Sequence, residues 1–353
     1  MAYSTIPKGN LYINAKLYTG NGTTNTAITG VGFQPDLSII KARDMTYDHN
    51  VMDAVRGSTK RFATNLTDAE STQAEMIKSF ASDGFNLGDN GGVNQNTKTY
   101  VAWNWKAGGG AGSSNTDGSI NTTSTSVNTT SGCSISTYTG AGTNSTVGHG
   151  LGAVPKMFWI KRLNNNDGMV VYHKATGATK HMKMDRNNAA ATGTNYFQDT
   201  APTNQFVYIG SDTGVGDVGN TYVMYAFSEI QGFSKMSAYM GNGSTGSSGT
   251  GTSYIHCGFS PSYVLIKNGQ QAAEWMIFDN KRQGFNPENE ALAANLTAVE
   301  RTTNYLNFFS NGFSLSNTDG EVNSAGVPYV FAAFAENPFV ATSGSTAVPV
   351  TAR

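Results

Sequence analysis

Cysteine, charge and long hydrophobic runs are all scarce in this 353-residue chain. The two cysteines, Cys133 and Cys257, are too few to cross-link a chain of this length, and no Cys/His spacing indicates zinc. We expect both thiols to be reduced, with Cys257 acting as a small buried apolar side chain. The longest apolar run, 327–335, is far shorter than the about 18 residues of a membrane span, and residues 1–17 contain no signal-peptide core.

Charge is also low. Charged residues make up 13% of the chain, against a usual value of about 25%. The 23 Lys and Arg residues nearly balance the 24 Asp and Glu residues, which gives a net charge of −1 and argues against a basic nucleic-acid binder. Serine, threonine, asparagine and 41 glycines take the place of charge, so the composition favours a turn-rich β protein.

Three ordered motifs recur and divide the chain into three copies of one unit. Each unit opens with Tyr-x-Gly-x-Gly-Thr/Ser, continues with a proline-containing strand that ends in Ile-Lys, and closes with an aromatic strand that begins Tyr-Val. The opening motifs are 18–23, 138–143 and 239–244, the proline strands are 32–41, 152–161 and 258–267, and the closing strands are 100–105, 222–227 and 329–334.

This repetition predicts an all-β fold of three tandem β-sandwich domains, jelly-roll or lectin-like, with few short helices. A single long β-solenoid is the alternative, and the size of the units argues against it. The predicted segments are 1–107 (first domain with an N-terminal arm), 108–132 (flexible Gly/Ser/Thr linker), 133–235 (second domain), 236–340 (third domain) and 341–353 (tail). The direct junction of the last two domains predicts a tighter interface between them than with the first.

Capping-box patterns predict one helix in each of two units. Thr67 to Glu70 and Thr297 to Glu300 both follow Asn-Leu and place Glu three residues after Thr. The second unit lacks the pattern.

No residue is assigned a catalytic, cofactor-binding or metal-ligating role. Gly214 to Gly219 matches GxGxxG, but it lies between two predicted strands with no helix after it. The loops 89–96, 211–220 and 317–323 carry oxygen side chains that could suit calcium, yet none has a dense carboxylate set, so ordinary turn chemistry is favoured.

Enzymatic constellations are weak as well. The five histidines sit in no Ser/His/Asp arrangement and no GxSxG elbow occurs; they are His49, His149, His173, His181 and His256. Asp53 and Asp279 stand at matching strand ends, where a glycosidase pair is the alternative reading. We expect them instead to pair with Lys41 and Lys267 or to cap a turn.

Aromatic residues raise the question of sugar binding. Core packing is favoured over sugar stacking for the tryptophans, which are Trp103, Trp105, Trp159 and Trp275. Contact with a sugar or partner is expected from residues that do not repeat, because variable loops carry function on repeated scaffolds. The candidates are Tyr47, Asp48, His49, Arg186 and Asn187.

Four segments of the first unit resemble a known family: Gly-Val-Gly-Phe-Gln-Pro-Asp (30–36), Asp-Ala-Val-Arg-Gly (53–57), Ser-Phe-Ala-Ser-Asp-Gly-Phe (79–85) and Tyr-Val-Ala-Trp-Asn-Trp (100–105). Together they resemble a poorly characterised domain that occurs, often in tandem, in structural proteins of marine bacteriophages. The third unit keeps part of this pattern and the second is the most diverged. The resemblance implies a place in the virion and supplies no catalytic residue.

The sequence thus predicts a non-enzymatic virion protein, a tail appendage or fibre component that attaches the phage to the host surface as a homo-oligomer. One alternative is a capsid decoration protein, and another is a carbohydrate-binding protein or depolymerase. Expected partners are other virion proteins and a host-surface glycan, without nucleic acid, membrane insertion or cofactor, and assembly takes place in the host cytoplasm. Residues 1–16, the linker or the tail 340–353 are expected to attach the chain by exchange of an extended segment.

Overall fold

The computed structural model describes residues 4–244, 253–338, 340–341 and 348–349, which form mostly β-strands. The first unit comprises a 3-10 turn (Gly9–Leu11), β1 (Ile13–Thr19), β2 (Thr26–Thr29), β3 (Leu37–Ala42), β4 (Asn50–Asp53), β5 (Gly57–Ala63), β6 (Ser71–Thr72), β7 (Ile77–Ala81), β8 (Gly84–Leu87), the helix α1 (Gly91–Asn94) and β9 (Thr99–Trp105).

The second unit has a similar order of strands, but its helix precedes the last strand but one, whereas α1 follows β8 in the first unit. It comprises β10 (Ser124–Asn128), β11 (Cys133–Thr139), β12 (Ser145–Gly148), β13 (Pro155–Arg162), β14 (Val170–His173), β15 (Lys180–Lys183), β16 (Ala191–Thr192), the helix α2 (Thr194–Phe197), β17 (Phe206–Ile209) and β18 (Thr221–Ser228). Neither helix among the described residues is long and apolar enough to cross a membrane.

The third unit is formed by strands alone within its described residues. It comprises β19 (Ser234–Met240), β20 (Tyr254–His256), β21 (Phe259–Asn268), β22 (Met276–Asp279), β23 (Glu288–Ala293), β24 (Arg301–Phe309), β25 (Gly312–Leu315) and β26 (Pro328–Pro338), followed by β27 (Val340–Ala341) and β28 (Val348–Pro349).

A large antiparallel sheet is the base of every unit. Its order is β1-β9-β3-β4-β5-β6 in the first, β10-β11-β18-β13-β14-β15-β16 in the second and β19-β26-β21-β22-β23-β24-β25-β20 in the third. The sheets β2-β8-β7 and β12-β17 complete the first two units, whereas in the third unit the corresponding strands continue the large sheet. The predicted all-β sandwich architecture is confirmed.

The closing strands β9, β18 and β26 are buried on both faces, as their sequences predict. In β9, Tyr100 and Ala102 pack inside the first unit, while Val101, Trp103 and Trp105 belong to a core cluster shared by all three units. β18 has the same alternation, because side chains on a strand point to opposite faces in turn. In the first two units the large sheet therefore has one face in its own unit and one in the common core, whereas residues on both faces of β26 belong to the common core.

Equivalent contacts close the three units into a ring. Glu70 N donates to Leu163 O at 2.7 Å, from the first unit to the second. Ala190 N donates to Gly269 O at 3.2 Å, from the second to the third, and Glu300 N donates to Arg43 O at 2.8 Å, from the third back to the first. The first unit thus contacts both others, in contrast to the prediction of a looser attachment through a linker.

Aromatic residues at the ends of the closing strands meet in the common core. The rings of Trp105 and Phe334 are 6.1 Å apart, those of Phe227 and Phe334 are 5.8 Å apart, and Trp105 also contacts Trp159 edge to face. Such edge-to-face contacts add to the free energy gained by burying the rings. One hydrophobic core therefore holds the units together, and the ring is a single packed body.

The two predicted helices are absent. Residues 67–70 and 297–300 have no helical assignment. Glu70 and Glu300 instead donate their backbone N–H groups to the neighbouring unit, and their carboxylates accept hydrogen bonds from Arg56 and Arg282. Contacts between units therefore take up the backbone N–H groups, and an arginine of the same unit takes up each carboxylate, in place of a capping box.

Part of the predicted linker, 108–132, is ordered structure. Residues 124–128 form β10, which pairs with β11 at the edge of the second unit's sheet. The carboxylate of Asp36 accepts hydrogen bonds from the backbone N–H groups of Ala107, Gly109 and Gly110, so the start of the segment is held against the first unit. Side chains and strands elsewhere in the fold therefore satisfy backbone groups in these parts of the Gly/Ser/Thr-rich segment.

The described part of the N-terminal arm packs on its own chain. Ile6 is fully buried, and a Cβ at Gly9 would lie 1.8 Å from the carbonyl oxygen of Ala335 in the third unit. Residues 6 and 9 of the arm therefore pack within their own chain, and exchange of the arm with a neighbouring copy stays a prediction. The predicted exchange by the tail 340–353 falls almost entirely outside the described residues.

Candidate functional site

The recurring tyrosines are structural. In every unit the opening-motif tyrosine stacks on the tyrosine at the second position of the closing strand, with ring centroids 5.2 Å apart; the pairs are Tyr18/Tyr100, Tyr138/Tyr222 and Tyr239/Tyr329. The opening-motif hydroxyls donate to equivalent loop carbonyls, those of Val93, Val215 and Val322, at 2.6–2.8 Å. The repeated signature thus fixes the loop before the closing strand, and it describes a fold rather than a binding site.

The first glycine of each opening motif allows that loop to approach closely. A Cβ at Gly20, Gly140 or Gly241 would lie 2.2–2.3 Å from a backbone oxygen of the loop. No larger residue fits there without displacing main chain. These contacts hold the oxygen-rich loops 89–96, 211–220 and 317–323. No group of three or more His, Cys, Asp or Glu side chains within the described ranges is placed to hold a metal ion.

A buried carboxylate connects the first unit to the second. Asp53 Oδ1 accepts the backbone N–H groups of Val55 and Arg56, and its Oδ2 accepts from Arg56 Nε at 2.5 Å. Tyr225 of the second unit donates its hydroxyl to the same Oδ2 at 2.5 Å. Asp53 therefore caps a turn, as expected, but its cation is Arg56 and not Lys41.

The third unit repeats this arrangement toward the first. Asp279 Oδ1 accepts from the N–H groups of Lys281 and Arg282, and Oδ2 accepts from Arg282 Nε at 2.6 Å. Trp103 of the first unit donates its indole N–H to the same Oδ2 at 2.8 Å. Trp103 and Tyr225 hold equivalent positions in their closing strands, so the two contacts are related by the repeat.

The second unit has His173 at the position of these carboxylates. His173 Nδ1 accepts the backbone N–H of Ala175 at 3.1 Å. Nε2 therefore carries the proton and donates to the carbonyl oxygen of Phe331, 3.1 Å away in the third unit. With this bond, the ring of contacts between units closes.

Burial and pairing leave these groups unsuited to acid–base catalysis. Burial opposes ionisation of Asp279, but the Arg282 guanidinium and the Trp103 N–H outweigh burial and lower its pKa. Burial lowers the pKa of His173 to about 4, so the imidazole is neutral near pH 7. Asp53 and Asp279 belong to separate contacts, each with its own arginine, and not to one cleft. A retaining or inverting glycosidase needs two carboxyl groups that face one substrate bond.

The interface lysines also differ from expectation. Lys161 Nζ donates to the carbonyl oxygen of Thr67, and Lys267 Nζ to that of Asn187, each across a boundary between units. Lys41 Nζ donates to Ala42 and Met45 within its own unit. These lysines bind backbone oxygens and not the aspartates.

The histidines make no hydrogen bond to a Ser, Thr or Cys side chain anywhere in the described chain. His149 bonds only to the backbone of Leu151 and Thr203, and His49 lies fully buried with its ring parallel to that of Trp103. Both cysteines are buried and free, and burial raises the pKa of Cys257 to about 12. The described residues therefore contain no activated nucleophile built on a histidine.

The candidate contact residues fall into two groups. In the first unit, His49 is buried and Asp48 accepts from Arg61 at 2.5 Å, which leaves Tyr47 as the exposed member. In the second unit, Asn187 offers its carbonyl to Lys267, whereas Arg186 lines a surface cavity.

That cavity, of about 260 Å³, is the most distinctive site in the second unit. Its lining consists of His181, Met182, Lys183, Arg186, Asn188, Ala189, Ala191 and Tyr196. The imidazole of His181 stacks on Tyr196 with ring centroids 3.6 Å apart, and burial lowers its pKa. Among the lining residues, the sequence singles out Arg186 as a candidate contact. The pairing of β15 with β16 and the packing of α2 against β15 bring the other polar residues to it.

Fold and site define a ring of three repeated, mostly β units in one chain, with a polar cavity on the second unit. The chain belongs to the family described as a domain of unknown function, DUF7483, whose model matches residues 8–338. The match covers all three units and the segments between them, in agreement with one continuous core. No curated protein matches this chain.

Proposed function

We propose that this chain is a non-enzymatic structural protein of a bacteriophage virion, a tail appendage or fibre component that attaches the particle to the host surface. One observation carries the proposal: equivalent contacts close three units into a rigid ring, while the loops between their strands differ. Variable loops on a rigid scaffold are a common basis of recognition. The resemblance of residues 30–36, 53–57, 79–85 and 100–105 to phage structural domains supports the same assignment.

Capsid decoration is the second candidate, and the threefold-like arrangement of the units favours it. A single chain with three similar units presents three similar surfaces, so one copy matches a threefold position of a symmetric shell. A tail component needs no such match. The two candidates therefore differ in where the chain docks and in how many copies each particle carries.

Cryo-electron microscopy of the intact particle tests both. Density for the ring at the tail or at a vertex, in a copy number that is a small multiple of three or six, supports attachment. A regular lattice over the shell, with copies in the hundreds, supports decoration. Absence of the chain from purified particles contradicts both structural roles and favours a free carbohydrate-binding protein.

A further inference from the structure

We propose that the cavity beside Arg186 binds an anionic sugar residue, and the assignment of that sugar to a host surface rests on the proposed attachment function. The polar residues that line the cavity are His181, Lys183, Arg186, Asn188 and Tyr196. Lys183 is paired with Asp167 at 2.5 Å, and within the described residues Arg186 is paired with Asp185 at its Nε alone. The open end of Arg186 therefore favours a ligand with an acidic group, and the Asn188 amide can bind a further oxygen of that ligand.

Arg186 is positioned for the charged group. Its Nε donates to Asp185 Oδ2 at 3.0 Å, and the Asp185 side chain is only 4% exposed. The terminal nitrogens of Arg186 make no hydrogen bond within the described part of the chain, and its side chain is 46% exposed. A guanidinium that is held through its Nε and has unpaired terminal nitrogens can donate two parallel hydrogen bonds to a carboxylate or a sulfate.

His181 and Tyr196 give the cavity a stiff aromatic wall. Their stacked rings restrain each other. His181 Nδ1 lies beside Gly193 and is closed off from solvent, so the ring contributes a flat surface rather than this nitrogen.

The equivalent positions of the other units are not free to bind. Arg61 of the first unit takes the place of His181, and it is occupied by Asp48 at 2.5 Å and Asn50 at 2.9 Å. In the third unit Ala291 takes that place, and its strand partner Arg301 lies 3.6 Å from Glu321. Among these described positions, the second unit has the cavity, and Arg186 beside it keeps an open end.

The size of the cavity limits the ligand. A volume of about 260 Å³ lies below the range of about 300–1,000 Å³ that holds drug-sized molecules. One sugar ring with its acidic substituent fits this space, and a longer glycan would extend into solvent. We therefore expect affinity to come from many copies on one particle, each holding a single residue weakly.

Ligand-observed NMR on the full chain tests the site with glucuronate, glucose 6-sulfate and glucose as probes. We expect binding of at least one anionic sugar, little or no binding of glucose, and about tenfold weaker binding by Arg186→Gln. His181→Ala removes the stacked ring and should also weaken binding. Lys8→Gln removes one exposed positive charge outside the cavity lining and is the matched control.

Equal binding of glucose and glucuronate, no binding of any probe, or unchanged affinity in Arg186→Gln would overturn the site. Circular dichroism and the melting temperature of each variant separate lost binding from lost folding. The particle test is independent: a chain that is present in the virion but binds no probe contradicts the site alone. A chain that binds glucuronate through Arg186 but is absent from the virion contradicts the attachment function alone.

Discussion

Two of the three contacts between units use a buried carboxylate, and the third uses a buried imidazole at the same position. Asp53 and Asp279 accept hydrogen bonds from Tyr225 and Trp103, whereas His173 donates to a backbone carbonyl. The closing-strand position that supplies Tyr225 and Trp103 is Ala332 in the third unit, which has no side-chain donor. Where the donor is missing, the opposite residue is itself a donor, so each contact keeps one donor facing one acceptor.

This difference shows that each contact between units requires a hydrogen-bond donor opposite an acceptor but does not require an ion pair. A buried acceptor must be matched by a donor, because an unpaired polar group away from water costs about 1–3 kcal/mol, and more when it is charged. Charge itself is not required, since the second unit closes its contact without an ion pair. The following changes should therefore affect the three contacts unequally.

Asp279→Ala should have the largest effect. It leaves the Arg282 guanidinium, which is fully buried, without its nearest anion, and it removes the acceptor for Trp103. Loss of one partner from a buried ion pair costs about 3–5 kcal/mol. Chemical denaturation monitored by tryptophan fluorescence measures the change in the free energy of unfolding. Glu75→Gln removes a mostly exposed ion pair with Lys78 as control, and its effect should stay within about 0.5 kcal/mol.

The imidazole contact should be the one that is lost on acidification. The unfolded chain binds a proton at His173 below about pH 6.5, while the folded chain does so only near its lowered pKa of about 4. Stability from this group is therefore present above pH 6.5 and falls as the pH decreases toward 4, by about 3 kcal/mol in total. Unfolding curves from pH 7 to pH 4 should show a smaller loss for His173→Asn than for the natural chain. Parallel pH profiles would contradict this account.

Removing the donors alone should cost less than removing the carboxylate. Trp103→Phe and Tyr225→Phe each delete one hydrogen bond to a charged acceptor and keep an aromatic ring in the core. Hydrogen bonds to charged groups contribute about 1.5–3 kcal/mol, so we expect losses in that range, with Trp103→Phe the larger because the ring also shrinks. Thermal unfolding of the two variants provides the comparison. A neutral effect at both sites would show that the arginines alone satisfy the carboxylates.

The sequence predicts the repeated part of this molecule well and the unique part poorly. Matching motifs indicate three similar sandwiches, and closing strands apolar on both faces indicate burial on both sides. The capping boxes at 67–70 and 297–300 mislead, because the neighbouring unit takes their backbone groups. Ring closure is invisible along the chain, since Trp103 and Asp279 are remote in sequence, and so are Tyr225 and Asp53.

The cavity is hidden for the same reason. Arg186 stands out because it does not repeat, but His181 and Tyr196 become neighbours only when β15 and β16 pair and α2 packs beside them. Sequence spacing can place a residue on a strand, yet it cannot show which polar atoms remain unpaired after folding. Polar atoms that remain unpaired after folding are what distinguish a binding site from a structural polar cluster.

The smallest effects should come from the feature that the three units share most closely. Tyr100→Phe, Tyr222→Phe and Tyr329→Phe each remove a hydroxyl that donates to one loop carbonyl and accepts from one loop N–H. An uncharged hydrogen bond contributes about 0.5–1.5 kcal/mol net, so each variant should lose about 1–2 kcal/mol, by a similar amount in all three units. Urea unfolding of the three variants side by side measures this. A much larger loss of stability in one unit would mean that its loop also supports a contact between units. Equivalent hydrogen bonds would then contribute unequally to stability in the three units.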